Sequence, residues 1–230
     1  MTERIINLPP PKHVDYLGDE LVAFVETVDG LREEQVELHL AGFGFMAEVT
    51  DGQIRDLRFG YDYAAPSGEY LTTDQLLPTL SPLIDPVIKH ESEEISDGDS
   101  FKLVVDSLRR AIWPNIIIGS DWHSGDPDRY LLSNIGTEVL VGDLVVPPDY
   151  QPSYNFENSY FPDDIGRGRG IAGDVVRFII EKSEELPCGL DVIQPKPGEL
   201  VRIDRNHVHR KPINQTEAPY DRTFIRIDPR

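Results

Sequence analysis

Two of the six histidines stand beside short apolar runs, where a β-strand could present them to a metal ion. His123 lies in SDWHSGD, after the apolar run 116–118, and His209 lies in NHVHRKP, after ELVRID. Two imidazoles and one carboxylate can bind one face of an iron ion and leave its other positions open. His207 has the same strand parity as His209, so either residue could serve as the second imidazole.

The carboxylate of such a site is less regular in its placement. Gly125 occupies the second position after His123, and Asp126 follows it. On a regular strand Asp126 would point away from His123, because side chains alternate between the two faces. Glycine permits a bend, which would turn Asp126 inward. Otherwise Gly125 leaves the third protein position empty. Asp121 and Asp128 are less favoured ligands.

The elements that must position these residues lie mainly after Pro114. Short runs rich in β-branched residues alternate there with Gly, Pro and Asp turns, which predicts an antiparallel barrel or jelly roll. A long aromatic insert at 147–173 has the character of a lid or binding loop. The predicted strands are NIIIGSDWH, RYLLSNIG, TEVLVGDLVV, DVVRFIIEK, GLDVIQ, ELVRIDRN and RTFIRID.

The first half of the chain has a mixed pattern. Apolar spacing predicts helices where residues recur every three or four positions and strands where they alternate. Residues 72–88 carry Thr73 and Asp74 as caps but are interrupted by prolines. The sequence predicts an irregular arm at 1–14, helices at 16–28, 72–88 and 100–112, strands at 35–49 and 53–60, and an acidic loop at 91–100.

Composition limits the classes of function. The 230 residues are 39% hydrophobic and carry a formal net charge of -19, so we expect one globular domain that repels nucleic acid and anionic membranes. Cys188 is the single cysteine, which fits a reducing compartment, and no run approaches the ~18 apolar residues of a membrane span. We predict a cytoplasmic protein with one domain, 1–230, in which 1–113 supports a catalytic core at 114–230.

The stretch HSGDPDRYLLSNIGTE, followed by PGELVRIDRNHVHRKPI and RTFIRID, resembles the core of the Fe(II)/2-oxoglutarate-dependent oxygenases. The signature of that family is H-x-D/E, a distal histidine and an arginine on the last strand. The resemblance covers roughly residues 114–230. It implies an α+β, β-rich fold, a double-stranded β-helix (jelly-roll or cupin-like) with N-terminal helices packed on it.

The resemblance also implies roles for individual residues. His123, Asp126 and His209 would hold Fe(II), and an arginine would pair with the distal carboxylate of the cosubstrate 2-oxoglutarate. Arg222 is preferred for that arginine, and Arg226, four positions later with the same parity, is the alternative. Further candidate contacts to 2-oxoglutarate are Tyr130 and Asn134.

The reaction implied is hydroxylation of an unactivated C–H bond in a small molecule or an amino-acid side chain. If Gly125 leaves the third position empty, the pattern resembles the halogenases, in which halide fills it, or the aspartyl/asparaginyl β-hydroxylases, in which water does. The expected partners are a small-molecule or amino-acid-type substrate, dioxygen and at most a second copy of the chain.

Two other classes remain open from the sequence. A cupin-like enzyme would bind metal without 2-oxoglutarate and make no use of Arg222 or Arg226. A metal-free β-sandwich binding module would leave His123 and His209 far apart or exposed. Metal-ligating imidazole nitrogens should instead lie roughly 3 Å apart.

Overall fold

The computed structural model describes residues 4–18, 42–59, 73–94, 100–112, 114, 122–151 and 171–230. The described part is mostly β-sheet, with two α-helices. The helices are α1 (Thr73–Glu94) and α2 (Ile171–Ser183). The strands are β1 (Arg4–Leu8), β2 (Lys12–Tyr16), β3 (Gly42–Thr50), β4 (Gln53–Phe59), β5 (Ser100–Ile112), β6 (Arg129–Ser133), β7 (Glu138–Val146), β8 (Leu190–Ile193), β9 (Glu199–Ile203), β10 (Val208–Arg210) and β11 (Tyr220–Pro229).

The strands form two antiparallel sheets. The larger sheet has the order β2-β9-β6-β11-β5-β3-β4, and in the smaller one β7 pairs with β1, β8 and β10. Strands from before residue 114 and strands from after it lie side by side, because β5 pairs with β11 along most of its length. The predicted pairing of the 53–60 strand with the strand before it is confirmed.

Alternation along the strands divides each sheet into two faces. One face of the larger sheet packs on α1, with Ile225 and Ile227 in the same apolar cluster as Leu83, Ile84 and Val87 of the helix. The smaller sheet packs on α2 through a second cluster. The other face of the larger sheet carries a third, small cluster of Leu131, Val201, Ile203 and Phe224.

Helix α1 runs through the predicted 72–88 helix and continues to Glu94, despite its prolines. Pro78, Pro82 and Pro86 are spaced four apart, so they share one line along the helix. Of these, Pro82 is exposed and Pro86 half-buried, while Val87 is buried. Proline lacks an N–H, but its partner carbonyl can bond to water on the solvent side, so the helix continues.

The helix predicted at 100–112 is wrong, since this segment is the strand β5. Phe101, Leu103 and Val105 alternate and pack in the cluster with α1, yet Val104 on the opposite face is buried as well. A strand buried on both faces has an almost continuous apolar run, and such a run imitates helical spacing.

The strand predicted at DVVRFIIEK is also wrong, because these residues lie in α2. Val and Ile favour strands on propensity alone. The buried positions Ala172, Val175, Val176 and Ile180 nevertheless recur at helical spacing and pack on the smaller sheet. Tertiary packing of this apolar face decides the structure.

The irregular arm predicted at 1–14 is corrected by β1 and β2, which join the two sheets on either side of Pro9–Pro11. Most of the predicted 16–28 helix, residues 35–41, 95–99 and 113–121, and residues 152–170 of the insert lie outside the described part. The beginning of the predicted 91–100 loop is helical, as α1 ends at Glu94. No helix in the described ranges is long and apolar enough to cross a membrane.

Candidate metal centre

His123 and His209 face each other across an isolated antiparallel bridge. The His123 N–H donates to the His209 carbonyl oxygen at 3.0 Å, and the His209 N–H donates to the His123 carbonyl oxygen at 2.9 Å. Directly paired residues of an antiparallel ladder project on the same side. The two imidazole ring centroids are accordingly only 4.1 Å apart.

Asp126 joins the two histidines because the chain bends at Gly125. Gly125 has φ +85°, a conformation that a side chain disfavours, and its N–H donates to the Arg205 carbonyl oxygen at 2.8 Å. Asp126 Oδ2 consequently lies 3.4 Å from His123 Nε2 and 3.2 Å from His209 Nε2. One ligand atom from each of the three residues falls within 4.8 Å of the others, a spacing that suits a metal ion.

The hydrogen bonding of His209 tests whether a cation fits between these groups. His209 Nδ1 lies 3.2 Å from the His207 carbonyl oxygen, which can only accept, so Nδ1 carries the proton. Nε2 then turns a lone pair toward the Asp126 carboxylate. This arrangement is repulsive unless a second proton or a cation lies between the two groups.

Burial argues against the second proton. It lowers the pKa of His209, and the hydrogen bond with Asp126 opposes this shift only in part. Burial also raises the pKa of the Asp126 carboxyl, but hydrogen bonds with His123 and His209 and the charge of Arg129 outweigh it and hold that pKa well below its ordinary value. A neutral buried imidazole beside an ionised carboxylate is a donor set for a divalent metal.

His207 takes no part in the cluster. Its Nδ1 lies 2.9 Å from Asp204 Oδ1, and its Nε2 lies 3.1 Å from the Pro10 carbonyl oxygen. Both ring nitrogens are therefore occupied by protein partners. The side chain ties the β9–β10 turn to the segment between β1 and β2.

Arg222 is buried on the face of β11 that carries Phe224. Its Nε donates to the Ile135 carbonyl oxygen at 2.8 Å and its Nη2 donates to Thr137 Oγ1 at 2.8 Å. Thr137 precedes by two positions Val139, the residue paired with His209. Burial lowers the pKa of Arg222 to about 10, and no carboxylate among the described residues lies within ion-pair distance of it. The guanidinium thus stays charged at neutral pH and suits an anionic ligand.

Arg226 has the same parity as Arg222 but pairs with a different group, Asp228, at 3.3 Å. Arg129 Nε lies 3.7 Å from Asp228 Oδ1, and Arg129 Nη1 lies 3.4 Å from Asp126 Oδ2. Sequence reasoning missed Thr137, Arg129 and Asp228. The parity of Asp228 with Arg222 and Arg226 was the available signal for the last of these.

The structure does not bring Tyr130 and Asn134 to the cluster. Tyr130 faces α1, where its hydroxyl donates to Glu91 and lies 2.7 Å from His90 Nδ1. The exposed Asn134 accepts from the Thr223 N–H at 2.9 Å. Asp128 accepts from Arg202 instead, and Asp121 lies outside the described residues.

The strand end that carries His123 is fixed from the side of α2. Trp122 is fully buried in the cluster with α2, and the Arg210 guanidinium lies 4.1 Å from its ring centroid. Gly173 of α2 approaches the His123 backbone directly, and its N–H donates to Ser124 Oγ at 3.1 Å. A Cβ on Gly173 would lie 2.9 Å from Ser124 N and 3.0 Å from His123 Cα, which is closer than packing allows.

Gly173→Ala should therefore displace His123 from its partners. We expect the free energy of unfolding to fall by about 1–3 kcal/mol through overpacking. We also expect affinity for Fe(II) to fall roughly tenfold, the cost typical of disturbing the support of a ligand. Chemical denaturation and anaerobic equilibrium dialysis measure the two effects. Glu181→Ala, on the exposed face of α2, is the control. Unchanged iron affinity in the glycine variant would contradict this role.

No protein-family model matches the sequence. No curated protein matches it either.

Several solved structures are similar at low sequence identity. IDO from Bacillus thuringiensis has a TM-score of 0.47 and 10% identity, over 94% of this chain and 90% of that one. The Fe(II)/α-ketoglutarate-dependent dioxygenase TqaL has a TM-score of 0.43 and 10% identity, over 90% and 74%. HygX from Streptomyces hygroscopicus, with nickel and 2-oxoglutarate bound, has 0.38 and 12%, over 98% and 82%. At these TM-scores the similarity does not assign an activity to this chain.

Proposed function

We propose that this chain is an Fe(II)/2-oxoglutarate-dependent oxygenase that hydroxylates a C–H bond of a small molecule or an amino-acid side chain. The observation that carries the proposal is the convergence of His123, Asp126 and His209. The His209 lone pair and the Asp126 charge meet in a way that a divalent cation would relieve. We further propose that the two antiparallel sheets form a double-stranded β-helix.

The donor set favours hydroxylation over halogenation. Two imidazoles and one carboxylate on one side of the site match the facial arrangement of non-heme Fe(II) oxygenases. Because Gly125 bends the chain, the Asp126 carboxylate stands where a halogenase would need a vacancy. The short separation of the imidazoles also disfavours a metal-free sandwich, in which the histidines would be far apart.

Arg222 and Thr137 are the proposed contacts to 2-oxoglutarate. A buried guanidinium can bind a carboxylate through two parallel hydrogen bonds, and Thr137 Oγ1 adds a third polar atom beside it. The charge of Arg222 costs desolvation, as its lowered pKa indicates, and an anionic ligand would offset that cost. Such compensation is a reason to expect tight and selective binding.

When bound, iron and 2-oxoglutarate would supply the oxidising chemistry with dioxygen, and the protein supplies placement and electrostatics. His123, Asp126 and His209 would hold the metal, and the His207 carbonyl oxygen would fix the proton of His209 on Nδ1. Arg222 would fix the far end of the cosubstrate.

Succinate formation tests the proposal. Protein loaded with Fe(II) should convert 2-oxoglutarate to succinate in air, slowly without substrate and not at all after removal of iron by a chelator. Wild-type protein that binds iron yet forms no succinate with any substrate of a broad small-molecule panel would instead favour a cupin-like enzyme that does not use 2-oxoglutarate.

A further inference from the structure

A chain of charged side chains leads from the metal cluster along one face of β11. Arg129 bridges Asp126 and Asp228, and Asp228 in turn contacts Arg226. Asp228 is nearly inaccessible, with 6% of its side chain exposed. Strand alternation places Asp228 and Arg226 on the same face as Arg222.

Positive charge exceeds negative charge in this group of side chains. Three guanidinium groups, of Arg129, Arg226 and Arg230, lie within 4.0 Å of the single Asp228 carboxylate. Asp126 also faces Arg129, but its charge is directed to the two histidines and would serve the metal. The excess contrasts with the formal net charge of -19 on the whole protein. A partly buried excess of cations favours an anionic ligand.

Arg226 is the member of this group that a ligand can reach. About a third of its side chain is exposed (32%), against 14% for Arg129, which is held between two carboxylates. Arg226 follows Arg222 by four positions on the same face, so its guanidinium is separate from the one proposed to take 2-oxoglutarate. A second carboxylate-binding group thus lies beside the site.

We infer that the substrate of the proposed oxygenase is a small molecule bearing a carboxylate, and that Arg226 binds this carboxylate. The inference rests on the proposed function, because it needs the metal cluster to be the reacting centre. Arg129 and Asp228 orient the Arg226 guanidinium. The bidentate geometry of a guanidinium distinguishes a carboxylate from its neutral amide, which cannot accept at both positions.

The test compares acids with their amides on protein holding Mn(II) and 2-oxoglutarate. The probes are acetate, butyrate, benzoate and the common L-α-amino acids, each beside its primary amide, with binding read by calorimetry. We expect at least one acid to bind about tenfold or more tightly than its amide, the size of one charge-assisted contact. Arg226→Gln should remove that difference by weakening only the acid, and Arg226→Lys should restore part of it.

Arg230→Gln is the matched control, since it removes the same charge from the same Asp228 but at a side chain that is 54% exposed. It should change acid binding less than about twofold. Equal binding of acids and amides, or an equal loss for both in Arg226→Gln, would overturn the inference while Mn(II) and 2-oxoglutarate still bind. Failure of the wild type to bind metal and 2-oxoglutarate would instead overturn the proposed function, and this inference with it.

Discussion

His209→Ala is expected to lower the affinity for Fe(II) by at least about a hundredfold, since it removes one of three protein ligands and losses of supporting contacts alone reach that size. The remaining pair, His123 and Asp126, would lie at the surface, with 40% and 28% of their side chains exposed. Water would compete at both. Anaerobic equilibrium dialysis with metal analysis measures the affinity directly.

His207→Ala is the matched control, because it removes an equally buried imidazole two positions earlier in the chain. Its ring nitrogens bond to Asp204 and the Pro10 carbonyl oxygen. We expect this variant to keep its iron affinity and to lose about 1–3 kcal/mol of unfolding free energy, the cost of leaving a buried carbonyl unpaired. Iron retained in the His209 variant, or lost equally in both variants, would refute the assignment of His209.

Arg222→Met should lower the affinity for 2-oxoglutarate on the order of a hundredfold while leaving metal binding intact. Removing one partner of a buried charged hydrogen-bonded pair costs about 2–5 kcal/mol, and about 1.4 kcal/mol corresponds to a factor of ten. The substituted side chain also frees the Ile135 carbonyl oxygen and Thr137 Oγ1. Calorimetric titration of the Mn(II)-loaded protein with 2-oxoglutarate gives the dissociation constants of the wild type and the variant.

2-Oxopentanoate, which lacks the distal carboxylate, separates a direct contact from a structural effect. The wild type should bind it far more weakly than 2-oxoglutarate, and Arg222→Met should bind both alike. Arg226→Met should keep the wild-type discrimination. An Arg222→Met variant that still prefers 2-oxoglutarate would show that another group binds the distal carboxylate.

The metal cluster shows how far local sequence reasoning extends. His123 and His209 stood out because each follows an apolar strand-like run. Asp126 was ambiguous, since its inward orientation depends on the positive φ of Gly125. Glycine permits that conformation but does not require it, and the bend is stabilised by the Gly125 N–H bonded to Arg205, far along the chain. Sequence spacing alone could not decide between the two orientations.

The surrounding charges were less predictable for the same physical reason. Arg129, Asp228 and Arg226 meet because β6 and β11 pair in a particular register, and register is set by the whole sheet. Tyr130 was expected near the cosubstrate from its position after the first ligand. The strand instead turns it toward Glu91 of α1, and a shift of one position in parity suffices for that reversal.

Two elements were assigned to the wrong class because both have apolar residues at positions that satisfy either period. In β5 burial on both faces hid the alternation, and in α2 β-branched residues suggested a strand where packing on the smaller sheet enforces a helix. The β-rich character and the α1 helix were nevertheless predictable from turn residues and periodicity. Short-range patterns indicate elements well when only one face is buried.

The most direct test of the account is an anaerobic titration of the protein with Fe(II) in the presence of 2-oxoglutarate, followed in the visible range. The account predicts a metal-to-ligand charge-transfer band that saturates at one iron per chain, is absent in His209→Ala and appears in Arg222→Met only at much higher 2-oxoglutarate. A wild-type protein that develops no band and retains no iron would contradict the assignment of His123, Asp126 and His209 as a metal centre.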